Sequence, residues 1–172
     1  MQAAESDVVI VILMGVSGAG KSTVGRRLAE TLRAEFHEGD GYHTEGSREK
    51  MRHGIALTDA DREPWLAALR ELIDSIQARG ADAVITCSAL KRSYRERLRA
   101  PGVQIVYLKA SPEVLESRLR GRKGHFFSPE LLPSQLATLE EPKSAIVVDA
   151  DQPVEAVVAE IAKRLGRSTE RQ

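Results

Sequence analysis

Residues 14–23 read MGVSGAGKST, and they lie between a continuous apolar run and a stretch with helical periodicity. The run VVIVILM at 8–14 is rich in β-branched residues, which favours a strand buried on both faces. Residues 15–22 match the pattern G-x-x-x-x-G-K-[ST]. Glycines let such a loop turn its N–H groups inward, and the N-terminus of the following helix adds further donors for an anion. The stretch therefore predicts a phosphate-binding loop between a strand and a helix.

The polar side chains of this loop have separate expected roles. Lys21 is expected to reach the β- and γ-phosphates of a nucleotide, and Ser22 to place its hydroxyl on Mg²⁺. Thr23 lies in the first helical turn, within reach of the α-phosphate. The residues predicted to hold the nucleotide here are Gly15, Val16, Ser17, Gly18, Ala19, Gly20, Lys21, Ser22 and Thr23. A nucleoside triphosphate is thus predicted, but the loop does not identify the phosphoryl acceptor.

Further apolar runs predict four more strands, separated by segments with helical periodicity. The runs are AEFHE at 34–38, AVITC at 83–87, VQIVYL at 103–108 and AIVV at 145–148. Strands that alternate with helices indicate an α/β fold, with a parallel sheet flanked by helices in three layers.

Capping signals mark the predicted helices. The helices are expected at 21–33, about 58–80, 111–120 and 154–165. Thr58 and Asp61 form a capping box at the start of the second helix, and Gly80 provides its C-terminal stop. Pro64 falls early enough in that helix to be tolerated, or it starts the main helix afresh.

Length and composition predict one soluble, cytoplasmic domain over residues 1–172, frayed from about 166 to 172. Lys plus Arg and Asp plus Glu are 25 each, so the formal net charge is zero, which argues against a nucleic-acid partner. No apolar run approaches the roughly 20 residues that span a bilayer, so no membrane partner is expected. The single cysteine, Cys87, excludes an intrachain disulfide. The acidic N-terminus lacks the basic region of a signal peptide.

The class of nucleotide-binding protein follows from motifs that the sequence lacks. A GTPase switch would carry a guanine-reading Asn-Lys-x-Asp motif and a D-x-x-G motif, but the sequence has no asparagine and no D-x-x-G. A motor ATPase would carry a strand that ends in an aspartate near Mg²⁺, whereas the strand at 83–87 leads into Cys87 and Ser88. A small phosphotransferase remains. A nucleotide-dependent regulatory protein without turnover is the alternative of a different class.

Asp40 is the candidate acid of such a phosphotransferase. It follows the second predicted strand, and the carboxyl ends of parallel strands gather at the ligand-binding edge of a sheet. Its carboxylate would face the phosphate-binding loop, where it could accept the proton of the acceptor hydroxyl or hold the Mg²⁺ shell. An aspartate between Gly39 and Gly41 is equally typical of a turn.

Two basic segments offer cations. In RLRGRKGHFF, Arg118 and Arg122 are four residues apart and share a helix face. This pattern suits a lid that brings arginines to phosphates, or a helix C-terminus whose cations complement its dipole. In CSALKRSYR, Lys91 and Arg95 would suit an anionic acceptor, or would form a solvated basic helix. The histidines show no metal-ligand spacing.

Seven segments together resemble the small gluconate kinases that carry a phosphate-binding loop. They are LMGVSGAGKST, GDGYH, EKMRHGIALTDADREPW, CSALKRSYR, YLKAS, ESRLRGRKGHFF and VVDADQP, between about residues 9 and 165. The resemblance implies ATP-dependent phosphorylation of D-gluconate at its 6-hydroxyl, giving 6-phosphogluconate. It also implies a five-stranded parallel sheet in the order 2-3-1-4-5, a lid at about 121–133 and a homodimer. A kinase of another small hydroxy acid or polyol, such as shikimate, is the alternative.

The resemblance also assigns roles residue by residue. Asp40 matches the acceptor-side acid, and Arg118 and Arg122 match the lid cations on the transferring phosphoryl group. The segment DADQP at 149–153 matches the loop that lines the adenine. That segment assigns Asp151, Gln152 and Pro153 to the nucleotide. The candidate cations for the substrate carboxylate are Arg48, Lys50, Lys91 and Arg95, and the other expected acceptor-side residues are His43, Trp65 and His125. Mg²⁺ is expected on Ser22 and, through water, on Asp40.

Overall fold

The sheet is the frame on which the functional loops are placed. The computed structural model of the protein describes residues 8–121 and 131–167, and five parallel strands in these ranges form one sheet in the order β2-β3-β1-β4-β5. The strands are β1 (Ile10–Met14), β2 (Glu35–Glu38), β3 (Ala83–Thr86), β4 (Val103–Lys109) and β5 (Ile146–Asp149). The predicted strand order and all five predicted strands are confirmed.

Helices connect the strands and cover both faces of the sheet. They are α1 (Lys21–Leu32), α2 (Glu45–Arg52), α3 (Asp59–Arg79), α4 (Arg92–Leu98), α5 (Pro112–Arg120), α6 (Leu132–Thr138) and α7 (Val154–Arg164), and a 3₁₀ turn spans Gly39–Tyr42. The short helices α2 and α6 escaped prediction because seven or eight residues hold too few turns to display an apolar period. Helix α4 confirms the helical alternative for the segment with Lys91 and Arg95, although Arg95 is buried in it. No helix of the described ranges is long and apolar enough to cross a bilayer.

The capping signals around α3 act as predicted. The side chain of Thr58 accepts the backbone N–H of Asp61 at 3.1 Å, and the carboxylate of Asp61 accepts the backbone N–H of Thr58 at 2.9 Å. Gly80 ends the helix at φ 66°. The helix continues through Pro64, so the proline is tolerated and does not begin a new helix.

Strand β1 separates two apolar cores because it occupies the centre of the sheet. Val11 and Leu13 pack on the face covered by α1, α5 and α7. Ile10, Ile12 and Met14 pack on the face covered by α3 and α4. All five side chains are at most 1% exposed, which confirms the prediction of a strand buried on both faces.

Two predicted segments lie partly outside the described residues. The lid expected at about 121–133 includes residues 122–130, of which nothing is described. The frayed segment expected at 166–172 is described only for its first two residues, and there the N–H of Arg167 donates to the carbonyl of Ala162 at 2.8 Å. The chain therefore stays attached to α7 as far as Arg167.

Candidate active site

The phosphate-binding loop leaves β1 at the carboxyl edge of the sheet and leads into α1. Gly18 and Gly20 have φ values of 91° and 94°, a left-handed region that side chains disfavour. A Cβ on Gly18 would lie 3.2 Å from the carbonyl oxygen of Leu115. The glycines therefore permit both the turn of the backbone and its close packing on α5.

Lys21 begins α1 and folds its side chain over the loop. Its Nζ donates to the carbonyl oxygens of Gly15 at 2.8 Å and Val16 at 3.0 Å. Ser22 and Thr23 follow in the first turn, where Ser22 is partly buried and Thr23 is exposed. The ammonium is thus held against the start of the loop, and the hydroxyl predicted to meet Mg²⁺ follows on the next residue of the chain.

Asp40 reaches the same edge on the 3₁₀ turn that follows β2. Desolvation of its carboxylate raises its pKa, the positive charge of Lys21 lowers it, and the negative charge of Glu38 raises it further. The structure therefore brings Asp40 and Lys21 close enough for their charges to interact, although they lie in different loops.

Gly39 positions Asp40 through main-chain contacts. Its N–H donates to the hydroxyl of Thr86 at 3.2 Å, and its carbonyl accepts the indole N–H of Trp65 at 2.9 Å. A Cβ at position 39 would lie 1.9 Å from the carbonyl oxygen of Thr86, so only glycine fits there. Trp65, at 1% exposure, supports this turn from the core, and its predicted place on the acceptor side stays a prediction.

The end of β3 carries a neutral group where other phosphate-loop proteins would have an acid. Cys87 is completely buried. Burial raises the pKa of its thiol to about 12, and the charge of Asp40 contributes to the increase. A protonated thiol offers no charge to a metal ion, so any carboxylate near the nucleotide has to come from another element.

An open crevice lies next to the turn that carries Asp40. Its enclosed volume is small, about 30 Å³, and it opens to solvent. Its lining includes His43, Leu57, Arg62, Ser88, Leu90 and Gln135. Its walls combine apolar side chains with hydrogen-bonding groups, which suits a small polar acceptor.

His43 is a neutral group of this crevice. It is 7% exposed, and its ring stacks on Trp65 with centroids 4.3 Å apart. Burial lowers its pKa to about 4, and the charges of Arg62 and Arg48 contribute. Its Nδ1 is buried and has no hydrogen-bond partner among the described residues, so it can bind a ligand.

Three of the cations predicted for the substrate carboxylate have internal partners. Arg48 donates to the carbonyl of Gly41, Lys50 pairs with Asp61 at 3.0 Å, and Lys91 pairs with Asp59 at 3.0 Å. Each side chain stays partly exposed to solvent. None of the three lines the crevice, so a substrate would have to draw them away from these partners.

Arg95 has a different environment from the one predicted for it. Its guanidinium is buried and donates to the carbonyls of Ala89 at 2.8 Å, Leu90 at 3.0 Å and Glu140 at 2.8 Å. Ala89 has a φ of 45°, which is strained for alanine. Arg95 therefore fixes the backbone that carries Ser88 and Leu90 into the crevice wall, and its own charge does not face the crevice.

Arg62 is a cation that our sequence analysis did not single out. It lines the crevice, and its guanidinium donates to the hydroxyl of Tyr94 at 3.0 Å and lies over that ring. Its place in the segment TDADREPW was visible in the sequence. Only the fold shows that its neighbours Asp59 and Asp61 pair with Lys91 and Lys50 and leave Arg62 beside the crevice.

Gln135 is a second residue that the sequence did not reveal. Its side-chain oxygen accepts the backbone N–H of Ser17 at 2.6 Å, and its side chain also lines the crevice. The contact joins residues 118 positions apart. No local pattern signals such a long-range contact.

Arg118 joins α5 to the nucleotide side of the site. Its guanidinium donates to the carbonyls of Ala19 at 3.1 Å and Ala150 at 2.7 Å. One side chain therefore spans the phosphate-binding loop and the segment after β5. This location is compatible with the predicted phosphate contact, although in this structure the guanidinium holds backbone carbonyls.

The segment predicted to line the adenine forms a tight turn between β5 and α7. The carboxylate of Asp151 accepts the N–H of Ser111 at 2.9 Å, and the side chain of Gln152 donates to the carbonyl of Asp149 at 2.9 Å. Pro153 caps the start of α7. Asp151 and Gln152 are thus held next to the start of α5.

Two predicted site residues, Arg122 and His125, lie outside the described residues. Within residues 8–121 and 131–167, no group of three or more His, Cys, Asp or Glu side chains could hold a metal ion. Within these residues, a metal ion bound by Ser22 or Asp40 would therefore need further ligands from the substrates or from water.

Comparisons with known proteins agree with this geometry. A family model described as an AAA domain matches residues 10–142. The thermoresistant gluconokinase of Escherichia coli (strain K12) is 47% identical over 156 residues, which cover 87% of this chain and 89% of that protein. The gluconokinase of Gluconobacter oxydans (strain 621H) is 45% identical over 158 residues, which cover 89% of each.

Solved structures give the same result. The crystal structure of a gluconokinase from Sinorhizobium meliloti 1021 matches with a TM-score of 0.81 and 45% identity, over 93% of this chain and 92% of that one. A shikimate kinase from Bacteroides thetaiotaomicron matches over 92% and 98% of the two chains with a TM-score of 0.70 and 23% identity, so it shares the fold alone. The chain therefore carries an AAA domain and belongs to the gluconokinase family, as its sequence motifs predicted.

Proposed function

We propose that this chain transfers the γ-phosphoryl group of ATP to the 6-hydroxyl of D-gluconate, giving 6-phosphogluconate and ADP. Membership of the gluconokinase family supports the substrate pair. The observation that carries the proposal is the position of Asp40, whose carboxylate interacts with the charge of Lys21. The backbone carbonyl of Asp40 accepts the backbone N–H of His43 at 3.3 Å, so the turn that carries the acid continues directly into the crevice wall.

The transfer step exchanges one bond to phosphorus for another. The oxygen of the acceptor hydroxyl bonds to the γ-phosphorus, the bond from phosphorus to the β–γ bridging oxygen breaks, and ADP leaves. The hydroxyl proton goes to the carboxylate of Asp40. Desolvation raises the pKa of this carboxyl group and strengthens it as a proton acceptor, while Lys21 favours its ionised form. The proton moves late because a loose transition state needs little early base assistance.

Cations around the loop stabilise the charge on the transferring group. Lys21 would leave the carbonyls of Gly15 and Val16 and move to the phosphates, where a fixed positive charge favours the transition state. Arg118 is already held against the loop. The sequence adds Arg122 to this set, as a prediction outside the described residues.

Mg²⁺ is proposed to accompany ATP, and when bound it neutralises charge on the phosphates. The hydroxyl of Ser22 and the carboxylate of Asp40 fit this ion because both are oxygen donors. Mg²⁺ keeps several of its waters and usually takes only one or two carboxylates in addition to substrate phosphates. The protonated Cys87 after β3 is therefore compatible with a magnesium site.

Arg62 is the cation we propose for the carboxylate of gluconate. It lines the crevice, and among the described residues its side-chain hydrogen-bond partner is the phenol hydroxyl of Tyr94, so binding a carboxylate does not require it to break an ion pair with one of them. The unpartnered Nδ1 of His43 supplies a hydrogen-bonding group for a substrate hydroxyl. A single-domain, cytoplasmic homodimer remains a prediction from the sequence, and sedimentation analysis tests the dimer.

The test is a coupled assay of ADP release with gluconate, shikimate, glycerate, nucleosides and no acceptor. We expect gluconate to raise turnover at least a hundredfold over each alternative, and ³¹P NMR to show a phosphate ester at the 6-position. Faster turnover with shikimate or another hydroxy acid would show that this compound, and not gluconate, is the acceptor. ATP binding without acceptor-stimulated turnover would identify a regulatory protein.

A further inference from the structure

Gln135 occupies a donor of the phosphate-binding loop. Its side-chain oxygen lies 2.6 Å from the backbone nitrogen of Ser17, and both residues are less than a tenth exposed. The hydroxyl of Ser17 is buried without a hydrogen-bond partner among the described residues. A neutral carboxamide thus takes an N–H of a loop whose donors are suited to an anion.

The same side chain belongs to the acceptor crevice. Gln135 lines it together with His43 and Arg62. Leu131, at the start of α6, packs in a buried cluster with Met51 and Leu57 on the acceptor side. Leu132 packs in the core below the phosphate-binding loop. Helix α6 therefore contacts both sides of the site, and Gln135 is a polar residue of this helix that bonds to the loop and also lines the crevice.

We propose that Gln135 is the positioning residue that couples nucleotide binding to acceptor binding. A phosphate oxygen and the carboxamide of Gln135 compete for the N–H of Ser17. The phosphate prevails because hydrogen bonds to charged acceptors are stronger than those to neutral ones. The released carboxamide then offers its donor and acceptor atoms to a hydroxylated substrate in the crevice.

Competition predicts opposite effects for two substitutions of Gln135. Gln135→Ala removes the competitor, so a triphosphate should bind several-fold more tightly than to the unmodified protein. Gln135→Glu places an anionic competitor beside the phosphates, so the triphosphate should bind at least tenfold more weakly. A purely structural role would weaken binding in both variants.

The coupling itself is reciprocal and can be measured from either ligand. In the unmodified protein, the non-hydrolysable analogue adenosine 5′-(β,γ-imido)triphosphate should tighten gluconate binding several-fold. In Gln135→Ala, the Kd of gluconate should be the same with and without the analogue. The titration with gluconate rests on the proposed function, whereas the titration with the analogue alone does not.

The experiment is titration calorimetry of both ligands on the full chain, with Gln104→Ala as the matched control. Gln104 is exposed on β4, so its variant should match the unmodified protein in every titration. Equal analogue affinity in all variants, or unchanged coupling in Gln135→Ala, would overturn the inference. Failure of the unmodified protein to bind gluconate would instead refute the proposed substrate. The affinities of Gln135→Ala and Gln135→Glu for the analogue would still show whether Gln135 competes with phosphate.

Discussion

The nucleotide loop and the acceptor crevice share one edge of the sheet but are built in different ways. The loop is a contiguous run, 15–22, between β1 and α1. The crevice draws on the turn after β2, on α2, α3 and α6, and on the segment after β3. One short motif therefore encodes the phosphate site, whereas the crevice proposed to hold the acceptor forms only once distant segments have packed together.

The two regions also hold their cations differently. Lys21 bonds to two backbone carbonyls of its own loop, which are neutral acceptors that phosphate oxygens can replace. Lys50 and Lys91 form ion pairs with Asp61 and Asp59, and a substrate that recruited them would leave those acids unpaired. The number of cations near the crevice is therefore a poor guide to which one binds the acceptor.

Lys21→Ala should have the largest effect of any single substitution on the nucleotide side. We expect kcat to fall on the order of 10³-fold, because the main fixed charge over the phosphates is lost. Steady-state kinetics with saturating ATP and gluconate measure this loss. Lys163→Ala, at the exposed end of α7, should keep full activity. If kcat of Lys21→Ala stayed within tenfold of the normal value, the loop would have no essential part in catalysis.

Asp40→Asn tests the residue that joins the two regions. We expect kcat to fall about 10²-fold to 10³-fold, with a much smaller change in the KM of ATP. In the unmodified protein, kcat should decline as pH falls through the raised pKa of this carboxyl group, because only the ionised form accepts a proton.

Glu38→Gln provides the matched control for this pH limb. It removes a negative charge that raises the pKa of Asp40, so the acid limb should move to lower pH. An acid limb that persists unchanged in Asp40→Asn would assign it to another group, and Asp40 would then be a turn residue only.

Arg62→Gln tests the acceptor side alone. The KM of gluconate should rise about tenfold to a hundredfold, since a hydrogen bond to a charged group contributes roughly 1.5–3 kcal/mol. The KM of ATP should stay within twofold. Arg70→Gln changes an arginine of the same helix that pairs with Asp74 and should alter neither constant. An equal effect in the two variants would show that general charge, and not position, is responsible.

His43→Phe tests whether the buried imidazole of His43 makes the fold less stable in acid. Between pH 6.5 and about 4, folded His43 stays neutral while the unfolded chain takes up a proton, so stability falls as pH is lowered. The full loss is about 3 kcal/mol at 1.36 kcal/mol per pKa unit. Phenylalanine keeps a ring on Trp65 and removes this loss. Urea unfolding at pH 7 and 4.5 should show a smaller fall in the free energy of unfolding for His43→Phe than for the unmodified protein. His53→Gln, which changes an exposed histidine, is the control and should behave like the unmodified protein. A loss of the same size in His43→Phe would assign the acid sensitivity elsewhere.

Arg33→Gly should have the smallest effect. Arg33 caps α1 in the left-handed region at φ 54° and is exposed. Glycine relieves that strain, so the free energy of unfolding should rise by about 0.5–1 kcal/mol. Activity should not change. Arg33→Ala retains the strained φ and should bring no gain; an equal gain in both variants would attribute the effect to the lost charge.

The sequence predicted the parts of the site that depend on neighbouring residues. The loop at 15–22, the buried strand before it and the capping box of Thr58 and Asp61 all follow from local patterns. Asp40 was identified because β2 ends just before it, and ends of parallel strands meet at one edge.

The residues that the sequence missed act over long distances. In the sequence, Arg95 is one of several basic residues on a short helix, but the fold buries it against the carbonyls of Ala89, Leu90 and Glu140. Gln135 meets Ser17 only because α6 returns to the loop after more than a hundred residues. Such contacts leave no periodic pattern in the sequence, because the two partners are far apart in the chain and the residues next to either one do not indicate the other.

The main-chain contact at Gly39 has a consequence for altering the acceptor preference of this fold. In the proposed mechanism the acid is positioned by the main chain of Gly39, which contacts Thr86 and Trp65. Neither of these two residues lines the crevice, so changes in crevice side chains leave this support in place. Changes at Leu57 or Ser88 could therefore retarget the enzyme to a different hydroxylated substrate while delivery of the phosphoryl group stays intact. The fold thus separates the choice of acceptor from the chemistry performed on it.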